Sequence, residues 1–464
     1  MTISEKIKIL IYIFLLVIFS ISINQYYGYR GILPIDSFLV FNSGYDFLNG
    51  YYPFKDYWTI KEPFIDFLQA IIFKIFGVSW FSYVFHASLF NLLITLSTFF
   101  ILKNLKLKIN LCFFYSFCVA ILTYPTAGTP FSDHHTLILC MNSLYFFILA
   151  LKTNKNIYWF LIPIFLGFSF LSKQAPTAYF VIFITFFSLI YFVYEKKFKG
   201  FIYAFSGFFF IIFLFFLFLI VGDINFEDFY TQYILFPQSL GSTRLDWIFP
   251  LEFKRIFLRF KLLHLSISIL FIILFINFYK KKIKVSTGDL IIIVSLILTC
   301  FSFIFHQLMT INAIFIYCLI PIFSGFSHVF SIKYFNKKFV NQFLILLTFC
   351  STIYYFLNYV NNRTFMDLRN INLSNSIDGQ LIDSNLSNIK WLTMFYPESP
   401  MKEVENIKFA VNIIKNDKEK KMIITDYQFI SVFLKQYDYS VTRFWYNFHG
   451  YPAEDNKYFI YWKN

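Results

Sequence analysis

Charge is what this sequence has least of. Only 14% of its 464 residues are Asp, Glu, Lys or Arg, where a soluble domain carries about 25%. So low a fraction excludes an ordinary water-soluble globule. Six cysteines are present, Cys112, Cys118, Cys140, Cys300, Cys318 and Cys350, and all fall within apolar runs. No two sit at metal-ligand spacing, which excludes a disulfide framework and a structural zinc site. No internal repeat is found, which counts against a transporter. No Gly-rich phosphate loop or nucleophile motif interrupts the polar C-terminal stretch. No small-residue cleavage site follows the first apolar run, so a retained signal anchor is expected there rather than a removed peptide.

Apolar side chains are what the sequence has in excess. They make up 58% of the residues, with 24% aromatic and 70 Phe. A single soluble core cannot hide that many. Long apolar runs recur without the alternation of barrel strands, which predicts an all-α polytopic membrane protein. The formal charge of +14 does not indicate nucleic acid. The lysines sit in short clusters between apolar runs, the pattern of cytoplasmic loop anchors.

Eleven spans are predicted, near 9–25, 80–102, 110–124, 135–151, 157–172, 176–194, 201–221, 262–279, 289–305, 312–330 and 339–360. The third and fifth are short. Lysines precede the first span (Lys6, Lys8) and follow the second (Lys103, Lys106, Lys108), fourth (Lys152, Lys155) and sixth (Lys196, Lys197, Lys199). They also follow the eighth (Lys280, Lys281, Lys282, Lys284) and tenth (Lys333, Lys337, Lys338). Every second loop is thus basic, which puts the N-terminus in the cytoplasm and the C-terminal stretch outside. The loop 222–261 carries five cations and departs from the rule, as long loops do. With this topology most other polar groups gather on the exterior face.

The first exterior loop, 26–79, holds the densest group. Phe38, Phe41, Tyr45 and Leu48 recur at helical spacing, which predicts an interfacial helix starting near Pro34 and Asp36. Asp36 suits a helix N-cap; a carboxylate at a membrane surface also suits a general base. Residues 63–76 are apolar but too short to span, and read as interfacial or re-entrant. Lys61-Glu62-Pro63 reads either as an exposed charged turn or as a phosphate-binding lysine fixed by its neighbour. In PFSDHHT, Asp133, His134 and His135 open a predicted span, where Ser132 or Asp133 could simply cap the helix. Adjacent histidines face apart and ill suit one metal. Lys173-Gln174 and His306-Gln307 sit at exterior helix ends. Lys173 fits a snorkelling side chain or a phosphate ligand, and His306 a polar contact between helices. Arg244 joins Lys61 and Lys173 as a candidate phosphate-binding cation. Residues 361–464 turn polar and predict a small extracytoplasmic α/β domain, apart from the membrane domain 1–360. In it, 402–416 and 426–434 read as helices and 422–425 (MIIT) as a buried strand.

The order of these features resembles the GT-C superfamily of membrane glycosyltransferases. The nearest likeness is to its bacterial branch related to protein O-mannosyltransferases and the lipid A aminoarabinose transferase. Asp36, Gly50 and Lys61-Glu62-Pro63 match that group's acidic residue, Gly and Lys-x-Pro motif. PFSDHHT and GFSFLSKQAP resemble later motifs, through Asp133, His134, Lys173 and Gln174. FPQSLGSTR and HQLMTINAIFIY are similar more weakly. Many relatives carry an acidic pair at the first motif, but here Ser37 follows Asp36. A divalent metal is compatible with the group, yet the single acid counts against a metal-assisted route, and no other cofactor is implied. Glu62 stands where relatives have Pro or a small residue. The resemblance implies a transferase in the plasma (inner) membrane. It would move a sugar from a polyprenyl-phosphate donor to a cell-envelope acceptor, with inversion. Asp36 would be the base, with Asp133 and Glu62 beside it and Lys61, Lys173 and Arg244 on the departing phosphate. His134, His135, Gln174, His306 and Gln307 would complete the polar site. The competing classes are a glycan polymerase or ligase and a lipid-linked oligosaccharide transporter.

Overall fold

The computed structural model describes residues 3–153, 155–246, 248, 252–280, 284–419, 422–435, 440–445 and 450–463. Two of the lysines expected after the eighth span, Lys281 and Lys282, lie outside the described residues. The chain is an all-α polytopic membrane protein. Its helices are, in order, α1 (Ile3–Gly28), α2 (Pro34–Leu48), α3 (Pro63–Phe76), α4 (Trp80–Asn104), α5 (Ile109–Leu122) and α6 (Ser132–Thr153). There follow α7 (Asn156–Ser172), α8 (Gln174–Tyr194), α9 (Phe198–Gly222), α10 (Phe226–Phe229), α11 (Phe236–Asp246) and α12 (Lys261–Phe275). The last are α13 (Thr287–Met309), α14 (Leu319–Tyr334), α15 (Lys338–Tyr355), α16 (Pro400–Asn416), α17 (Ile430–Leu434) and α18 (Phe459–Lys463).

Among the described residues ten helical segments are long and apolar enough to cross a membrane. The apolar α7 has 17 residues, the lower limit for a span. Counting it restores the eleven predicted segments. The abundance of Phe has a plain cause in α9. Phe205, Phe209, Phe213 and Phe216 are all exposed on a helix that buries little of itself. Outward apolar faces of this size are stable only in lipid.

Helices α2 and α3 do not span. They pack on each other and on the start of α4. Phe38 and Phe41 are buried against Trp80 and Tyr83. Pro34 and Pro63 each occupy the first turn of their helix, where a missing N–H costs nothing. Leu33, not Asp36, is the N-cap of α2, and its N–H donates to the Ser37 hydroxyl at 3.0 Å. Asp36 lies inside the first turn, so its carboxylate is not consumed as a cap. Trp80 Nε1 donates to the Gly28 carbonyl at 2.9 Å and ties α4 back to the end of α1.

The C-terminal stretch corrects two expectations. Residues 422–425 form no strand. Met422 and Ile424 are exposed, and four apolar residues with no partner strand leave the backbone unpaired. The helix expected over 426–434 is limited to α17. The only sheet among the described residues pairs β1 (Ile377–Asp378) with β2 (Lys390–Trp391), antiparallel. The stretch shares one apolar core with the first loop: Trp391, Val404 and Phe429 pack with Ile32, Phe38 and Trp80. Glu403 is buried at its centre and accepts from Trp391 Nε1 (3.1 Å), Thr393 Oγ1 (2.9 Å) and the Tyr427 hydroxyl.

A polar cluster at the loop end of the bundle

The two ends of the bundle are chemically different. At one end lie the starts of α4, α6 and α8 and the finishes of α1, α7 and α13, with α2, α3 and the C-terminal stretch above them. Arg363 organises this end. It is fully buried, and its guanidinium donates to the carbonyls of Arg30 (2.8 Å), Pro125 (2.7 Å) and Ala127 (3.1 Å). These bonds pin the turn that leads into α6. Gly128, with φ +81°, brings that turn against the Gly28 backbone, where any Cβ would collide.

Asp133, in the first turn of α6, is the hub. Lys173 Nζ donates to its Oδ2 at 2.6 Å, and His306 Nε2 to its Oδ1 at 3.0 Å. Lys173 is not a snorkelling side chain. Burial lowers its pKa, and the Asp133 carboxylate is the chief group pulling it back up. Arg244 on α11 shares this neighbourhood: burial lowers it and Asp133 opposes the shift. Its Nε is buried without a hydrogen-bond partner, as are His306 Nδ1 and Gln307 Oε1.

Asp36 is half-buried beside this group. Burial raises its pKa; Lys61 and Lys173 pull it down, and Asp133 and Asp367 push it up. One electrostatic neighbourhood therefore holds Asp36, Lys61, Asp133 and Lys173. Glu62 is 2% exposed. Its backbone is left-handed, φ +76°, at the turn into α3, at a cost of about 1–3 kcal/mol for a non-glycine residue. Neither carboxylate oxygen makes a hydrogen bond of good geometry, although the Ser132 hydroxyl is close enough to help lower its pKa. Lys61 Nζ stands off at 3.7 Å. Burial raises the Glu62 pKa, and the Lys61 and Lys173 charges counter it. Asp66, one helical turn on, accepts from the Ser43 hydroxyl and is also raised by burial and by Glu62.

The remaining predicted residues divide by role. Gln174 Nε2 donates to the carbonyls of Ile60 (2.9 Å) and Tyr233 (2.7 Å), tying the first loop to the later one. Gln232 does likewise, accepting from Thr59 N and donating to the Phe54 carbonyl. His134 turns away from His135, as adjacency requires. Both its ring nitrogens are buried without partners, and its ring stacks on Tyr124. His135 joins a buried chain. Gln69 Oε1 can only accept, so His86 Nδ1 donates to it at 2.9 Å. His86 Nε2 and His135 Nε2 share one proton at 3.0 Å, and His135 Nδ1 contacts both the Tyr124 hydroxyl and the Phe131 carbonyl. Sequence reading missed His86, Asp66, Arg363 and Arg443. Among the described residues no three His, Cys, Asp or Glu side chains group to hold a metal ion. The donor set does not make a preformed divalent site.

Two apolar grooves open on the bundle, the first of them beside the cluster. One, of about 620 Å³, is lined by Tyr52, Pro63, Phe64, Phe67, Phe168 and Phe218. The other, of about 490 Å³, lies between α7, α8 and α9.

Residues 61–220 match the model of the dolichyl-phosphate-mannose-protein mannosyltransferase family. The match includes Lys61, Glu62, Asp133 and Lys173 and leaves out Asp36, Arg244 and His306. No curated protein matches the chain. The family match supports the GT-C superfamily and a membrane glycosyltransferase of mannosyltransferase-like type.

Proposed function

We propose that this mannosyltransferase-like membrane protein transfers one sugar from a polyprenyl-phosphate donor to a cell-envelope acceptor on the extracytoplasmic side. The observation that carries the reading is the half-buried Asp36 in one electrostatic neighbourhood with two lysines, beside a groove suited to a lipid tail. Asp36 accepts the proton of an acceptor hydroxyl or amine. The acceptor atom attacks the anomeric carbon with inversion, and the carbon–oxygen bond to phosphate breaks with its electron pair on the phosphate oxygen. Lys61, Lys173 and Arg244 stabilise that oxygen's growing charge. Raising the Asp36 pKa by burial makes it a better base at neutral pH. Asp133 has both oxygens engaged, which suits it to holding Lys173 and His306 rather than to moving a proton. The apolar groove beside Pro63 and Phe64 is suited to an isoprenoid chain whose phosphate reaches Lys61.

The test is sugar transfer from a purified polyprenyl-phosphate donor in proteoliposomes. Asp36→Asn is expected to lower turnover about 10²–10⁴-fold with expression and melting temperature unchanged. Normal turnover in that variant would remove Asp36 as the base.

A further inference from the structure

The C-terminal stretch reaches into this cluster. Trp58 N donates to the Val441 carbonyl at 2.8 Å, and Trp58 Nε1 to the Gly450 carbonyl at 3.0 Å. Arg443 Nε donates to Asp46 Oδ2 at 2.6 Å, and its guanidinium lies 4.6 Å over the Tyr57 ring. Between these ties Phe444 faces the first loop. Lys61 Nζ sits 4.1 Å from the centre of its ring. Thr59, Lys61, Glu62, Asp66, Arg443 and Phe444 line one small cavity.

The two lysines of the cluster are held in different ways. Lys173 spends a donor on Asp133 at 2.6 Å. Lys61 is 3.7 Å from Glu62, beyond hydrogen-bond length. What confines it is an aromatic face. A ring attracts the ammonium charge without saturating its three N–H donors, and contributes about 0.5–2 kcal/mol. A lysine held this way loses side-chain entropy before its ligand arrives and keeps its donors for it. The small gap between Lys61 and Glu62 has the same effect: the carboxylate orients the cation without capturing it.

We propose that Phe444 is a positioning residue for Lys61, so that the C-terminal stretch forms one wall of the donor-phosphate site. The inference rests on the donor reading given above. It assigns a part in the site to a stretch far outside residues 61–220. The Arg443–Asp46 pair is the clamp that keeps Phe444 over the lysine.

The experiment uses the full-length protein in nanodiscs and undecaprenyl phosphate as the probe, with Kd read by native mass spectrometry and folding by thermal melting. Lys61→Ala is expected to weaken binding about tenfold or more. Phe444→Leu is expected to weaken it about three- to tenfold, whereas Phe444→Tyr, which keeps an aromatic face, stays within about twofold. In the Lys61→Ala background Phe444→Leu should add nothing. Phe444→Met serves as a second aliphatic variant should the leucine protein not fold. Equal binding by the leucine and tyrosine variants overturns the proposal, and so does a full additive loss in the double variant. Wild-type protein that does not bind the probe refutes the donor reading itself, a result distinct from either.

Discussion

Two carboxylates, one at each end of the bundle, are buried to opposite effect. Asp289, at the start of α13, is 1% exposed by its side chain. It accepts from Lys152, Lys333 and the Tyr334 hydroxyl. Around it no ionisable side chain is left buried and unpartnered among the described residues. Asp133, at the other end, also holds two partners, Lys173 and His306. Yet its surroundings contain Glu62, Arg244, His134 and His306, each with at least one buried polar atom unpaired. A buried polar group without a partner costs about 1–3 kcal/mol. The Asp289 end closes its hydrogen bonding and joins three helices. The Asp133 end keeps donors and acceptors open, at the expense of stability. That asymmetry separates a structural ion cluster from one suited to receive a charged ligand.

Neutralising each hub should separate the two ends most clearly. Asp133→Asn should lower sugar transfer about 10²-fold or more, since it releases both Lys173 and His306 from their positions. Asp289→Asn should leave turnover of the folded protein within about twofold while lowering stability by about 1–3 kcal/mol. Lys152 and Lys333 are both partly exposed and can turn to water, which limits that loss. Transfer activity and melting temperature in the same nanodisc preparation measure both. A catalytic collapse in Asp289→Asn with an intact fold would erase the distinction.

Glu62 combines a left-handed backbone with a buried carboxylate that makes no hydrogen bond of good geometry. Glu62→Gln removes the buried charge and should raise stability by about 1 kcal/mol while reducing transfer. Glu62→Gly also relieves the backbone and should raise it by a similar further amount. Opposite movement of melting temperature and activity is the expected result. A drop in both would make Glu62 an ordinary structural residue.

How much of this was legible in the sequence depends on the range of the interaction. The spans were, because hydrophobic runs and their lysine borders are local. The start of α2 at Pro34 and the length of α3 were legible for the same reason. The gathering of Asp36, Lys61, Asp133 and Lys173 followed from counting helices, since alternation alone brings their loops to one end. Arg363 was not legible. It looks like one more polar residue after the last span, and its partners lie more than two hundred positions earlier. Its loss should cost on the order of 3–5 kcal/mol, because three or more carbonyls lose a buried donor together. His86 was hidden inside an apolar run whose pairing with His135 no sequence window contains. The MIIT segment misled because a short apolar run specifies burial, not a strand. The Phe444–Lys61 contact joins the two ends of the chain and leaves no local trace.

The smallest effect expected is a displacement of the pH profile. On the proposed mechanism Asp36 must be ionised to take a proton, so activity is expected to fall as pH drops through its pKa. Burial holds that pKa above the ordinary carboxylate value, and Lys61 draws it back down. Removing the cation therefore raises the Asp36 pKa further, and the acidic limb of kcat/KM should move to higher pH in Lys61→Met. Lys61→Arg keeps the charge and should return the limb toward its wild-type position, even where donor affinity is not restored. Lys152→Met, at the opposite end of the bundle, should not move it. A limb that stays fixed in Lys61→Met would mean that the titrating base is not the carboxylate beside Lys61, and the polar cluster would then owe its open valences to something other than proton transfer at Asp36.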